Sequence, residues 1–260
     1  MSSRFKCPSV LLIFLFVLFQ HENSYAQQNI DTTSSDSVTT PHSRLRKLST
    51  WVVPGALILI GTSITLDEDA DGFFLDNFEV REERNENFVN FSNKTDDYLQ
   101  HVPSAAVFIL DAFGVKPKTK IPDQIAIFVK SELLMSGLVL SLKKIVGEGR
   151  PDSGRKNSFP SGHTAQAFMA ASFLSHEFGY RSNWYTIGAY TLATTVGTMR
   201  VLNNRHWISD IIAGAGFGIL STNVVYATHQ YKWSKKSKSS AMLLPQFGGD
   251  ITGLVLHISF

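Results

Sequence analysis

Between residues 51 and 227 the chain is divided into apolar stretches at 51–66, 102–115, 125–142, 165–178, 184–201 and 208–227, with polar connectors between them. None of the stretches sustains an alternation of apolar and polar residues, so helices are the simplest elements they can form. The pattern predicts an all-α protein, a bundle of about six helices whose apolar faces must find one another or lipid. A helix that crosses a bilayer needs about 20 apolar residues. Few of the stretches reach that length, and Asp111, Lys130 and Glu132 lie inside them. A membrane-embedded bundle and a soluble one are both open on these grounds. Stretch 102–115 is the shortest and contains Asp111, so it is the first to be withdrawn as a span. That leaves an even number of crossings before Lys143 and keeps the following segment on the outer side.

The N-terminus has the anatomy of an export signal. Arg4 and Lys6 precede an unbroken apolar run at 10–19, and Ser24-Tyr25-Ala26 supplies small residues at a cleavage site. The expected organisation is a signal peptide at 1–26, a flexible polar segment at 27–48, a helical domain at 49–240 and a C-terminal tail at 241–260. In that tail Leu254, Leu256, Ile258 and Phe260 alternate with Val255, His257 and Ser259, which is strand periodicity, and a pairing with residues 241–246 is expected. The single cysteine, Cys7, lies before the apolar run of the signal, so the mature chain would have no thiol chemistry, disulfide or cysteine-based metal centre. A net charge of +2 gives no reason to expect a nucleic acid partner.

Three polar clusters stand at the ends of the apolar stretches. The first runs from Lys143 to Arg150-Pro151, where Gly147, Gly149 and Pro151 end a helix and leave two cations on one turn. Lysine offers a point charge and arginine a planar fork, and together they suit an oxyanion. The second is Pro160-Ser161-Gly162-His163, immediately before a stretch that reads as a helix. Unpaired N–H groups of a first helical turn, with the Ser161 hydroxyl and no side chain on Gly162, form an anion site. Ser161 could equally be a plain helix cap. The third contains Arg200, His206 and Asp210. If a helix begins near His206, the spacing of four places imidazole and carboxylate on one face. The carboxylate can then hold one ring nitrogen and leave the lone pair of the other as a nucleophile.

Together the clusters resemble the type 2 phosphatidic acid phosphatase (PAP2) superfamily, whose signature is Lys-x6-Arg-Pro, Pro-Ser-Gly-His and Ser-Arg-x5-His-x3-Asp. Here these are Lys143…Arg150-Pro151, Pro160-Ser161-Gly162-His163 and Arg200…His206…Asp210. The signature core spans residues 143–210, and Met199 stands where the family has serine. The resemblance implies a phosphatase working through a phosphohistidine. His206 would attack phosphorus, Asp210 would orient it, and His163 would protonate the leaving oxygen and then activate water. Lys143, Arg150, Arg200, Ser161 and Gly162 would bind the phosphate. No metal or other cofactor is implied. The expected substrates are phosphate monoesters or pyrophosphates of membrane lipids, such as phosphatidic acid, polyprenyl pyrophosphate or lipid A, handled in the cell envelope with the site on the periplasmic side. A soluble periplasmic acid phosphatase of broad specificity is the alternative, and a vanadium-dependent haloperoxidase shares the same signature.

Other signals point to no function. Asp67-Glu68-Asp69-Ala70-Asp71-Gly72 opens like a calcium loop, but its twelfth position falls on Phe78. From residue 67 to 97 there are eleven acidic and three basic residues, which reads as a polar connector. His101, His176, His229 and His257 have no partner at a recognisable spacing and are expected at surfaces or helix ends.

Overall fold

The computed structural model describes residues 41–66, 76–230, 240–248 and 251–259; for 41–48 and the two strands only the backbone is considered. The export signal and the calcium-like loop lie outside the described residues. Among the described residues eight helices follow in order: α1 (Pro41–Leu66), α2 (Asn77–Asn87), α3 (Asp96–Leu99), α4 (Val102–Ala112), α5 (Ile121–Val146), α6 (Gly162–Phe178), α7 (Asn183–Leu202) and α8 (Ile208–Thr228). Strands β1 (Ser240–Gly248) and β2 (Ile251–Ser259) pair antiparallel, with Pro245 opposite Leu254. The six apolar stretches are the bodies of α1 and α4 to α8, while α2 and α3 arise in the acidic connector. Helix α1 begins at Pro41, inside the segment expected to be a polar tether.

Helix α6 is the innermost element. It packs on α4, α5, α7 and α8, and every residue from Thr164 to Ser175 is buried. A helix buried on all sides is expected to be small or apolar for most of its length, and its sequence, Ala-rich with Phe168, Phe173 and Phe178, is so apart from Gln166 and Glu177. Helix α8 lies against it through glycines. A methyl group on Gly218 would sit 2.3 Å from the Ala165 carbonyl oxygen, and one on Gly214 2.7 Å from that of Ser161. On another face of α8, Gly216 meets α1 at Ile58 and the Pro54 carbonyl. Because backbone faces the added carbon at Gly218, Gly218→Ala can be accommodated only by parting two helices. It should lower the thermal midpoint measured in detergent by an amount equivalent to about 1–3 kcal/mol. Gly137→Ala, where nothing lies within 4 Å, should leave the midpoint unchanged or raise it.

Among the described residues three helices, α1 over its residues 49–66, α5 and α8, are long and apolar enough to cross a membrane; α4 is a shorter apolar helix. They differ in what they face. The α8 stretch is 83% enclosed by the protein. In contrast, α5 exposes Ile121, Ile125, Val129, Leu133 and Leu140, a nearly continuous stripe at helical spacing. The charges that interrupt the apolar stretches turn toward other helices. Asp111 accepts from Gln124 Nε2 at 3.4 Å, and Lys130 Nζ lies 3.4 Å from His229 Nδ1. His229 is buried, with Nε2 3.0 Å from Asp123 Oδ1, and His176 bonds Asn223 while stacking on Tyr226. Both stand at helix ends, as expected, but neither lacks a partner, because each partner comes from another helix at least 47 residues away in sequence.

Candidate active site

All three polar clusters meet at one end of the bundle, where α5 ends and α6 and α8 begin. Local geometry explains how each is delivered. Gly147, at φ 64°, closes α5 with its N–H on the Lys143 carbonyl. Only glycine takes that left-handed turn without steric cost. A small bridge between Gly149 and Lys156 then folds the Arg150 loop back on itself. Asn204, also left-handed at φ 57°, turns the chain between α7 and α8, a conformation asparagine tolerates better than most residues. The loops are stapled together: the Trp207 indole N–H donates to the Gly149 carbonyl at 2.7 Å, and the Ser161 N–H donates to the Asp210 carbonyl at 3.0 Å.

His206 stands just before α8 and not on its face, and its ring folds back over the first turn. Its Nδ1 lies 3.1 Å from Asp210 Oδ2. The same oxygen accepts the Trp207 N–H at 2.9 Å and the Ser158 hydroxyl at 2.5 Å. An ionised carboxylate only accepts, so the His206 proton belongs on Nδ1 and the lone pair on Nε2. His206 is 3% exposed. Burial, opposed by the hydrogen bond that Nδ1 donates to Asp210, lowers its pKa from 6.5 to about 4. It is therefore neutral at physiological pH.

His163, the second residue of α6, places Nε2 2.8 Å from Asp97 Oδ1. Burial first and Arg200 second push its pKa below 6.5, while Asp97 and Asp96 pull it up. Arg200 is buried at 8% exposure, with Nη1 2.7 Å from Asp96 Oδ2 and 3.7 Å from Asp97 Oδ1. The Nε atoms of Arg200 and Arg150 are buried and have no hydrogen-bond partner among the described residues. Each is a donor suited to a phosphate oxygen.

Two expected phosphate ligands are otherwise engaged. The Lys143 ammonium donates to the carbonyls of Asn157, Ser158 and Pro160 at 2.7, 2.9 and 2.7 Å. Its three protons thereby clamp the loop that carries the Pro-Ser-Gly-His segment. The Ser161 hydroxyl is the cap of α6, accepting from the Thr164 N–H and hydroxyl at 3.4 and 3.0 Å, so the simple capping role holds and only its own proton is left for an anion. At Gly162 a methyl group would meet Val139 at 3.8 Å, ordinary contact distance. Among the described residues no three His, Cys, Asp or Glu side chains are grouped to hold a metal ion.

Sequence reasoning missed Ser158, Asp96 and Asp97, and it missed the work of α2. Arg81 Nη2 donates to the Pro151 carbonyl at 3.1 Å with its guanidinium 5.4 Å over the Trp207 ring, and Arg84 Nε donates to the Leu202 carbonyl at 2.9 Å. These arginines brace both loops beside His206.

Residues 121–234 match the model of the PAP2 superfamily. This region belongs to the PAP2 superfamily. It holds all eight expected site residues, whereas α2, Asp96 and Asp97 precede it. Over 172 residues the chain is 36% identical to a lipid A 1-phosphatase of Porphyromonas gingivalis, covering 62% of this chain and 39% of that protein. Over 99 residues it is 31% identical to a lipid A 4'-phosphatase of the same species, covering 37% of this chain and 41% of that protein. The chain thus spans about two fifths of the length of these PAP2 relatives. The crystal structure of Aquifex aeolicus LpxE aligns with a TM-score of 0.45 and 21% identity, covering 61% of this chain and 98% of that one.

Proposed function

We propose that this protein is a metal-independent lipid phosphatase of the cell envelope. Embedded in the membrane with its site on the outer, periplasmic side, it removes phosphate from a lipid of the lipid A kind. The support at the site is the neutral, buried His206, held through Nδ1 by Asp210 in a cluster that also contains His163 and two arginine Nε donors. The exposed apolar stripe of α5 favours the membrane over a soluble phosphatase.

The chemistry follows from these positions. Nε2 of His206 attacks phosphorus in line, and the bond from phosphorus to the leaving oxygen breaks as His163 delivers a proton to that oxygen. Arg150 and Arg200, with the Ser161 hydroxyl and the first amides of α6, hold the equatorial oxygens. Asp210 stabilises the charge that His206 acquires. Neutral His163 then takes a proton from water as its oxygen attacks the phosphohistidine, which frees His206 and returns His163 to its acid form.

Phosphate release in EDTA tests the proposal, with lipid A, phosphatidic acid and a small soluble phosphate ester compared in one detergent. Lipid should be the better substrate. Equal or faster turnover of the soluble ester would point to the broad-specificity phosphatase, and no release from any of them would reject the reading. The pH profile is constrained as well. The nucleophile must be neutral, so kcat/KM falls toward acid near pH 4; the general acid must be protonated, so it falls again as pH rises through a value below 6.5. An optimum between those limits is expected, and an alkaline optimum would exclude the assignment of roles.

A further inference from the structure

Helix α3 is only four residues long, yet both of its leading carboxylates turn to the site. Asp96 is fully buried on Arg200, and Asp97, about half exposed, reaches His163. The placement is built and braced. Asn93 N–H donates to Asn203 Oδ1 at 2.9 Å, Asn203 Nδ2 donates back to the Asn93 carbonyl at 2.7 Å, and Asn93 Oδ1 accepts the Thr95 N–H at 2.7 Å. The segment leading into α3 is thereby tied to the turn that delivers His206. A chance surface ion pair would not need a reciprocal pair of amide bonds to hold its backbone.

We infer that Asp97 is a positioning residue for His163, forming with it a second histidine–carboxylate pair beside that of His206 and Asp210. The inference rests on the phosphatase reading above, in which His163 is the acid and base. A carboxylate on Nε2 fixes the ring and its tautomer, and leaves the other ring nitrogen for proton exchange with substrate. It also sets the strength of the acid. The charged groups that act on His163 are Asp96 and Asp97 of α3 and Arg200 of α7. Arg200 disfavours the imidazolium, and Asp97, hydrogen-bonded to the ring, favours it more than Asp96 does, so Asp97 is the main group that keeps His163 protonatable at working pH. Asp97 lies outside residues 121–234, so this pair joins the PAP2 region to a segment that precedes it.

The test compares the full chain with its Asp97→Asn and Asp97→Glu variants, reading both the pH dependence of kcat/KM and the titration of the His163 ring by NMR. In Asp97→Asn the alkaline limb and the NMR midpoint should both move to a pH lower by about 1–2. The rate at neutral pH should then fall roughly 10- to 100-fold, with most of the loss recovered in acid. Asp97→Glu should restore the limb. A rate lowered equally at every pH, with the limb unmoved, would reduce Asp97 to a structural contact and overturn the inference; so would a gain of activity, which would mark the carboxylate as an obstruction. The NMR midpoint is independent of turnover. An inactive wild type would therefore sink the phosphatase reading while the ring titration still decided the pairing.

Discussion

Replacing His206 with alanine is expected to lower kcat by roughly 10⁴-fold or more, the scale at which removal of a nucleophile acts in enzymes whose groups work as a unit. The reason lies in how completely the ring is prepared. Its Nδ1 is committed to Asp210, and that oxygen also takes bonds from Ser158 and Trp207. The decisive measurement is capture of the phosphoenzyme by alkaline quench with a radiolabelled substrate. Wild type should show label on histidine, and His206→Ala none. His163→Ala should behave differently with an activated aryl ester, whose leaving group needs no acid: label should accumulate because the water that clears it has lost its base. Label retained in His206→Ala would refute the nucleophile.

Lys143→Met should be the next most damaging change, with kcat/KM lower by roughly 10²- to 10³-fold. The ammonium holds three carbonyls of one loop, and charge-assisted bonds of this type contribute about 1.5–3 kcal/mol each, though not additively. Without it, the carbonyls of Asn157, Ser158 and Pro160 lose their common donor. Ser158, which braces Asp210, and the start of α6 then lose their fixed position. Lys143→Arg should not rescue, because a planar fork cannot converge three donors on the point that the ammonium fills. Thermal unfolding without phosphate distinguishes this role from direct substrate binding. A clamp predicts a lower midpoint in the variant, whereas a ligand of phosphate predicts an unchanged midpoint and a higher KM alone.

The bundle and the signature residues could be read from sequence because their information is local. Glycines after a basic helix end, a serine before an apolar run and a histidine four residues from an aspartate each describe one turn of chain. The rest is carried by contacts across long separations. Asp97 and His163 are 66 residues apart, and Asp96 and Arg200 are 104 apart, and no periodicity links them. Helix α2 has no buried residue, so it lacks the apolar repeat that announces a helix, and its arginines were legible only as charges in a connector. Lys143 was identified as a site residue from its spacing, but spacing says nothing about whether three protons face a substrate or a loop. Lys130 and Asp111 looked like arguments against a membrane because the side chains that face them belong to other segments, His229 and Gln124.

The near-contact of α6 and α8 at Gly214 and Gly218 gives the site an unusual kind of independence. One imidazole opens the first of these helices and the other stands at the threshold of the second, so their separation is an interaxial spacing, dictated by the close approach of backbone to backbone at these two glycines. Atoms that never meet a substrate hold the reaction geometry. On the lipid phosphatase reading, the exposed face of α5 and the connectors, which would meet the rest of a substrate, are left outside that constraint. Over evolutionary time, taste for one head group or another could drift there, residue by residue, with the phosphoryl chemistry carried along unaltered.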